Sequence, residues 1–159
     1  MPFIGIISDE KSENHIRREL LERLKINESS VLFIKEKSID NIKNIRFETV
    51  LLAREFKNMD LLKKILTNTK YLIVNSDLKN NLKMLEELQL TVITYGFNSK
   101  ATITISSVLE DKVLVCLQRD IINNKGKTIE AQEFEFVACE NTNDLMGIAS
   151  ILLLYKNNI

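Results

Sequence analysis

Apolar positions along the chain come in short, dense runs separated by stretches of helical periodicity. "PFIGIIS" (2–8) is a brief apolar run, and after it Ile16, Leu20, Leu21 and Leu24 recur at the spacing of one helix face. "VLFIKE" (31–36) predicts a second strand, with Ser38 placed to cap a brief turn or helix. "FETVLLA" (47–53) predicts a third, followed by a helix over Met59, Leu62, Lys63 and Leu66 with Asn58 as its N-cap. "KYLIVNS" (70–76) predicts a fourth, with a helix over Leu82, Leu85 and Leu88, and "LTVITYG" (90–96) a fifth. Continuous apolar strands alternating with helices are what a parallel sheet covered on both faces requires. The fold class is therefore α/β, a doubly wound, mostly parallel and Rossmann-like sheet.

The pattern changes after Gly96. "ATITISSVLE", "KVLVCLQRDIINN" and "KTIEAQEFEFVA" carry the alternation and β-branched content of antiparallel strands, and "NNKG" (123–126) is a hairpin signal. "NTNDLMGIASILLLYK" predicts a final helix, with Asn141, Thr142 or Asn143 available as its cap. With no repeat, low-complexity tract or linker, the expectation is one domain over 1–159 carrying an antiparallel C-terminal extension and a final helix.

Composition narrows the classes. The 22 Lys and Arg residues balance 22 Asp and Glu, so the overall field gives no drive toward nucleic acid or an anionic membrane surface. Cys116 and Cys139 stand in apolar runs and not at metal-ligand or paired spacing, which points to a reducing compartment and a cytoplasmic protein. Neither the N-terminal run nor "LMGIASILLLY" is long enough for a membrane span, and the first is too short for a signal-peptide core. The abundance of Lys, Asn and Ile suggests a bacterial, low-GC coding bias.

In an open parallel sheet, ligands sit beyond the carboxyl ends of the strands. Those ends carry Ser8, Asp9 and Glu10; Arg54 and Glu55; Asn75, Ser76 and Asp77; and Tyr95, Asn98 and Lys100. Caps and turns use the same residue types. A phosphate-cradling loop needs several glycines so that backbone N–H groups can approach the phosphates. After the first strand stands "SDEKSENHIRREL", without glycine and with carboxylates where a phosphate would sit. His15 is the only histidine and reads as a solvated position beside Arg17 and Arg18. No triad, Cys-x-x-Cys or metal cluster is legible, so no catalytic residue, metal or cofactor is expected. "HIRRELLERLK" reads as a solvated helical face or a partner-facing one.

Taken in order, "YLIVNSDLKNNLKMLEELQLTVITYGFNSKATI" and "CENTNDLMGIASILLL" resemble the later part of the central, ATP-binding domain of the Mur ligases, which add amino acids to the UDP-linked peptidoglycan precursor. The resemblance covers residues 47–155. Asn75, Ser76 and Asp77 match the family's Asn-Ala-Asp-Asp strand end, and Tyr95 and Gly96 its aromatic residue plus glycine. Asn143 matches the last position of its His-Asn-x-x-Asn motif, which in the family contacts adenine. The first two positions of that motif fall on Cys139 and Glu140. The family's P-loop has no match near Ser8, and its Asp-His falls on Asp60 and Leu61. The UDP-binding and amino-acid-bringing domains that flank the central domain have no counterpart in the 159 residues.

What the resemblance implies is a degenerate, stand-alone Mur-ligase-like domain that is non-catalytic. It would bind a nucleotide, a UDP-linked precursor or a protein partner in cell-envelope metabolism, with Asn75, Asp77, Tyr95, Asn98 and Asn143 as the ligand-binding residues. Without phosphate cradle and Mg²⁺ ligands, phosphoryl transfer loses its main electrostatic support. Two alternatives come from other classes. One is a small enzyme with a new acid/base site at the strand ends, using Asp9, Glu10, Asp77 or Lys100. The other is a structural subunit or homodimer that pairs through a sheet edge or the "ILLLY" helix.

Overall fold

A computed structural model describes residues 3–80 and 85–156. The elements are β1 (Phe3–Ile7), α1 (Glu10–Leu24), β2 (Val31–Phe33), α2 (Ile39–Ile42), β3 (Phe47–Leu52), α3 (Met59–Leu66), β4 (Tyr71–Asn75) and β5 (Thr91–Tyr95). Then follow β6 (Ile103–Val108), β7 (Lys112–Leu117), β8 (Ile121–Ile122), β9 (Thr128–Ile129), β10 (Gln132–Val137) and α4 (Thr142–Tyr155). The helix expected over Leu82, Leu85 and Leu88 falls partly on residues 81–84, outside the described ones; Leu85–Glu87 form a 3₁₀ turn.

Eight strands make one sheet in the order β10-β7-β6-β5-β4-β3-β1-β2, and β8 and β9 make a separate two-stranded ribbon. From β2 to β6 the neighbours are parallel, whereas β6-β7 and β7-β10 are antiparallel. The doubly wound, mostly parallel sheet with an antiparallel extension and a final helix is thus present. Parallel neighbours normally need a long crossover, yet only residues 96–102 join β5 to β6. The register explains this: the two strands share a single pair, Tyr95 with Ile103, so β6 starts level with the end of β5.

The expected long strands around the hairpin are broken in the middle. After β7, Gln118 donates its backbone N–H to Thr102 and its side-chain amide to Ala101, and Arg119 donates to the Lys100 carbonyl. These bonds pull the chain onto the 100–102 loop and out of the ladder. The turn at Asn123 to Gly126 still forms, with the Asn123 carboxamide oxygen accepting from Lys125 and Lys127 backbone N–H groups at 3.0 and 2.9 Å. Gly126 takes a φ of +76° there.

Strand alternation divides the core in two. Ile4, Ile6, Leu51, Ile73 and Ile93 face Ile16 and Leu20 of α1 and the length of α4. On the other face Ile7, Val50, Leu52, Leu72 and Val74 meet Leu62 and Leu66 of α3. Asp9 caps α1, Asn58 caps α3 as its sequence predicts, and Asn141 is the residue that caps α4.

α4 is apolar on every side, the signature of a helix enclosed by protein, and each residue from Asp144 to Leu154 is buried. Gly147 lets it lie close to the sheet. A Cβ at Gly147 would stand 3.2 and 3.3 Å from the Leu51 methyls and 3.6 Å from the Tyr95 ring. The Ser150 hydroxyl is satisfied by the Met146 carbonyl at 2.7 Å. At the far end the Tyr155 phenol meets Thr49 Oγ1 at 2.6 Å, and Asn124 N–H reaches the Leu154 carbonyl.

Two substitutions at this contact should diverge. In Gly147→Ala, the gain in helix propensity of about 1 kcal/mol offsets the tight methyl contact, so stability changes little. Gly147→Leu forces the helix off Leu51 and should cost about 1–3 kcal/mol from overpacking. Urea denaturation of both variants measures this, and equal stabilities would contradict the close approach.

Candidate functional site

The carboxyl ends of β4 and β5 are joined by a polar network. Asn75 is buried and its side-chain oxygen accepts from Asp77 N–H at 3.0 Å, which turns the chain immediately after the strand. Ser76 donates both its N–H and its hydroxyl to the Tyr95 carbonyl. One Asp77 oxygen accepts from Phe97 N–H and the other from the Asn98 amide, each at 2.8 Å. Asn98 also donates to Ser76 Oγ, and its own oxygen accepts from Lys100 N–H. Gly96 permits this packing, because with φ at +155° a Cβ would stand 2.7–2.8 Å from the Asp77 carboxylate.

Of the five expected ligand residues, the structure therefore brings Asn75, Asp77 and Asn98 together, and bonds them to their own loops. Tyr95 lies on the β5 end but turns into the core beneath α4, 1% exposed. Burial, with the nearby negative charges of Asp144 and Asp77, holds its phenol far above the ordinary value, so it stays protonated. Asn143 sits in the first turn of α4, exposed, outside the network and outside the cavity described next.

A cavity of about 570 Å³ opens between α1, the segment that follows β10, and the start of α4. Its wall includes His15, which the sequence reads as solvated. The reason for the difference is Asp144. That carboxylate is 7% exposed, and His15 Nδ1 lies 3.3 Å from its Oδ2. A carboxylate cannot donate, so the imidazole presents its N–H at Nδ1 and leaves Nε2 as an acceptor when neutral. No donor among the described residues reaches Asp144 Oδ1. The signal available in the sequence was the charge itself: an Asp at the head of an apolar helix is buried along with it and must find a partner.

The rest of the wall carries both signs. Lys11, His15 and Arg18 follow one stripe of α1 at i, i+4 and i+7, and Glu19 is tied to Arg23 at 2.8 Å. Asp9 is committed to the Ser12 N–H, with Glu10 and Glu13 in the first turn of α1. The Cys139 thiol is pushed up chiefly by burial, with Asp144 and Glu19 acting in the same sense, so it is a poor nucleophile. Among the described residues no three His, Cys, Asp or Glu side chains gather to hold a metal ion. Nor is any helix among them long and apolar enough to cross a membrane.

No protein-family model and no curated protein matches the chain.

The Asp77 network generates a test. Asp77→Ala removes two bonds to an exposed carboxylate and should cost about 1–2 kcal/mol. Gly96→Ala adds a clash with that same carboxylate in a backbone conformation unsuited to side chains, and should cost more. Because the clash partner is Asp77, the penalty of Gly96→Ala should shrink in the Asp77→Ala background. Chemical denaturation of the four proteins reads the coupling; strict additivity would contradict the contact.

Proposed function

We propose that this chain is a non-catalytic domain of Mur-ligase-like layout that binds a small ligand at the carboxyl edge of its sheet, in bacterial cell-envelope metabolism. The observation that carries the reading is the cavity between α1 and α4, which has room for a ligand at a place where a phosphate cradle would need glycines and instead has Asp9 as a helix cap. Sheet, antiparallel extension and final helix follow one another in the order the resemblance implies. The strand-end carboxylates Asp9 and Asp77 are engaged by neighbouring N–H groups, Asp9 at the start of α1 and Asp77 on the β5 loop. This supports binding without phosphoryl transfer.

A second reading, a small acid/base enzyme, is favoured by one observation. His15 is oriented by a buried carboxylate on a cavity wall, the arrangement that general bases use. Of the four residues that the sequence offers for that role, Asp9, Glu10, Asp77 and Lys100, two carboxylates are engaged by backbone N–H groups, Asp9 by Ser12 and Asp77 by Phe97.

Thermal unfolding against ATP, ADP, adenosine, UDP and UDP-linked peptidoglycan precursors, each with and without Mg²⁺, tests the proposal. A ligand at a hundred times its Kd adds about 2.7 kcal/mol, a rise of roughly 5–11 °C for a domain of this size. The expected result is a Mg²⁺-independent rise and no phosphate release from ATP. Mg²⁺-dependent phosphate release that is lost in Asp9→Ala or Asp77→Ala would overturn the non-catalytic reading. A flat response to the whole panel would overturn the small-ligand reading.

A further inference from the structure

We propose that a second cavity, at the amino edge of the sheet, is a binding site for a phosphomonoester carried on an apolar body. This cavity of about 330 Å³ lies between α3 and the loop of residues 43–46 that leads from α2 into β3. Small-molecule sites span roughly 300–1,000 Å³. It stands at the opposite ends of the strands from the cavity between α1 and α4, and the inference is independent of the ligand proposed there.

The first support is charge. Lys43, Arg46 and Lys64 line the cavity, and no Asp or Glu does. Among the described residues Arg46 and Lys64 have no ion-pair partner, and Lys43 has only Asp40 at 3.7 Å. That pair is solvent-exposed on both sides, so it neutralises little. Like charges converging on one cavity repel one another, and a bound anion relieves the repulsion. The imbalance is regional. The chain as a whole is neutral, yet residues 35–70 hold nine Lys and Arg against five Asp and Glu. Lys64 stands in the last turn of α3, where a cation complements the carbonyl end of a helix. Lys43 and Arg46 come from another segment, and that effect does not place them.

The second support is the floor beneath these cations. Leu61 and Ile65 of α3 stand one turn apart and, with Ile42 and Ile45, pack onto the core on that face of the sheet. Leu61, Lys64 and Ile65 follow one another at i, i+3 and i+4, so one stripe of α3 supplies both floor and charge. Asn44 and Asn68 add carboxamide donors at the rim. An Arg fork takes two phosphate oxygens, and lysines beside it act as point charges. A phosphomonoester carries nearly two negative charges at neutral pH and so answers more than one cation. An inorganic anion would use the rim alone and a neutral apolar molecule the floor alone; an ester of phosphate with an apolar group uses both.

The test is titration calorimetry of the full chain with phenyl phosphate, set against phenol and inorganic phosphate. Phenyl phosphate should bind about tenfold or more tightly than either of its parts. Arg46→Gln and Lys64→Gln, both at exposed positions, should each weaken it by about tenfold. Lys37→Gln removes the same charge from an exposed position outside the cavity and should leave the affinity unchanged. Co-sedimentation with phosphatidylcholine vesicles, with and without phosphatidic acid, identifies the source of the ester. Retention by phosphatidic acid that is lost in Arg46→Gln assigns it to a lipid headgroup; binding of phenyl phosphate without such retention assigns it to a soluble metabolite. Absence of binding by both phenyl phosphate and phosphatidic acid overturns the proposal. So does equal affinity for phenyl phosphate and either of its parts, or a loss in Lys37→Gln that matches the loss in Arg46→Gln. A nucleotide held at the carboxyl edge still raises the unfolding temperature of Arg46→Gln, which separates failure of this site from failure of the other.

Discussion

Enclosing α4 on all sides is the constraint from which most of the molecule follows. A helix buried from Asp144 to Leu154 must approach the sheet closely, and Gly147 against Leu51 and Tyr95 permits it. Its one hydroxyl inside the core must be satisfied within the helix, as Ser150 is by Met146. Its last carbonyls need donors, and the hairpin tip supplies one through Asn124. Above all, its only buried charge needs a partner from elsewhere, and His15 of α1 provides it across 129 residues of sequence. The cavity at the head of the helix is walled by this link.

Two polar clusters result at the carboxyl side of the fold, and they differ in kind. Around Asp77 every acceptor of the carboxylate is met by a donor of the neighbouring loop, so that cluster locks β4 to β5. Around Asp144 one oxygen is met by His15, and the other is not a buried atom left without a partner, so this carboxylate opens to the cavity beside it and is not closed off by a neighbouring loop. The residues that resemble a nucleotide-binding motif belong mainly to the Asp77 cluster.

The parallel strands were legible because each is an apolar run ending in polar residues, and Asn58 could be assigned as a cap because it stands alone before an amphipathic segment. The antiparallel extension was legible as a class, but "KVLVCLQRDIINN" does not betray its break. That break depends on Gln118 and Arg119 finding carbonyls at residues 100–102, a contact between strands that local pattern does not encode. Asn141, Thr142 and Asn143 are equivalent candidates on paper; only the backbone decides that Asn141 is the cap and leaves Asn143 exposed. His15 read as solvated because its neighbours on α1 are charged, while the residue that draws it inward stands on the last helix.

The tautomer of the single imidazole tests this account most directly, by ¹⁵N NMR of the ring nitrogens with His15 neutral. The account predicts a proton on Nδ1 and none on Nε2, with that preference abolished in Asp144→Ala. A ring that carries its proton on Nε2, or whose tautomer is indifferent to the loss of Asp144, would contradict it.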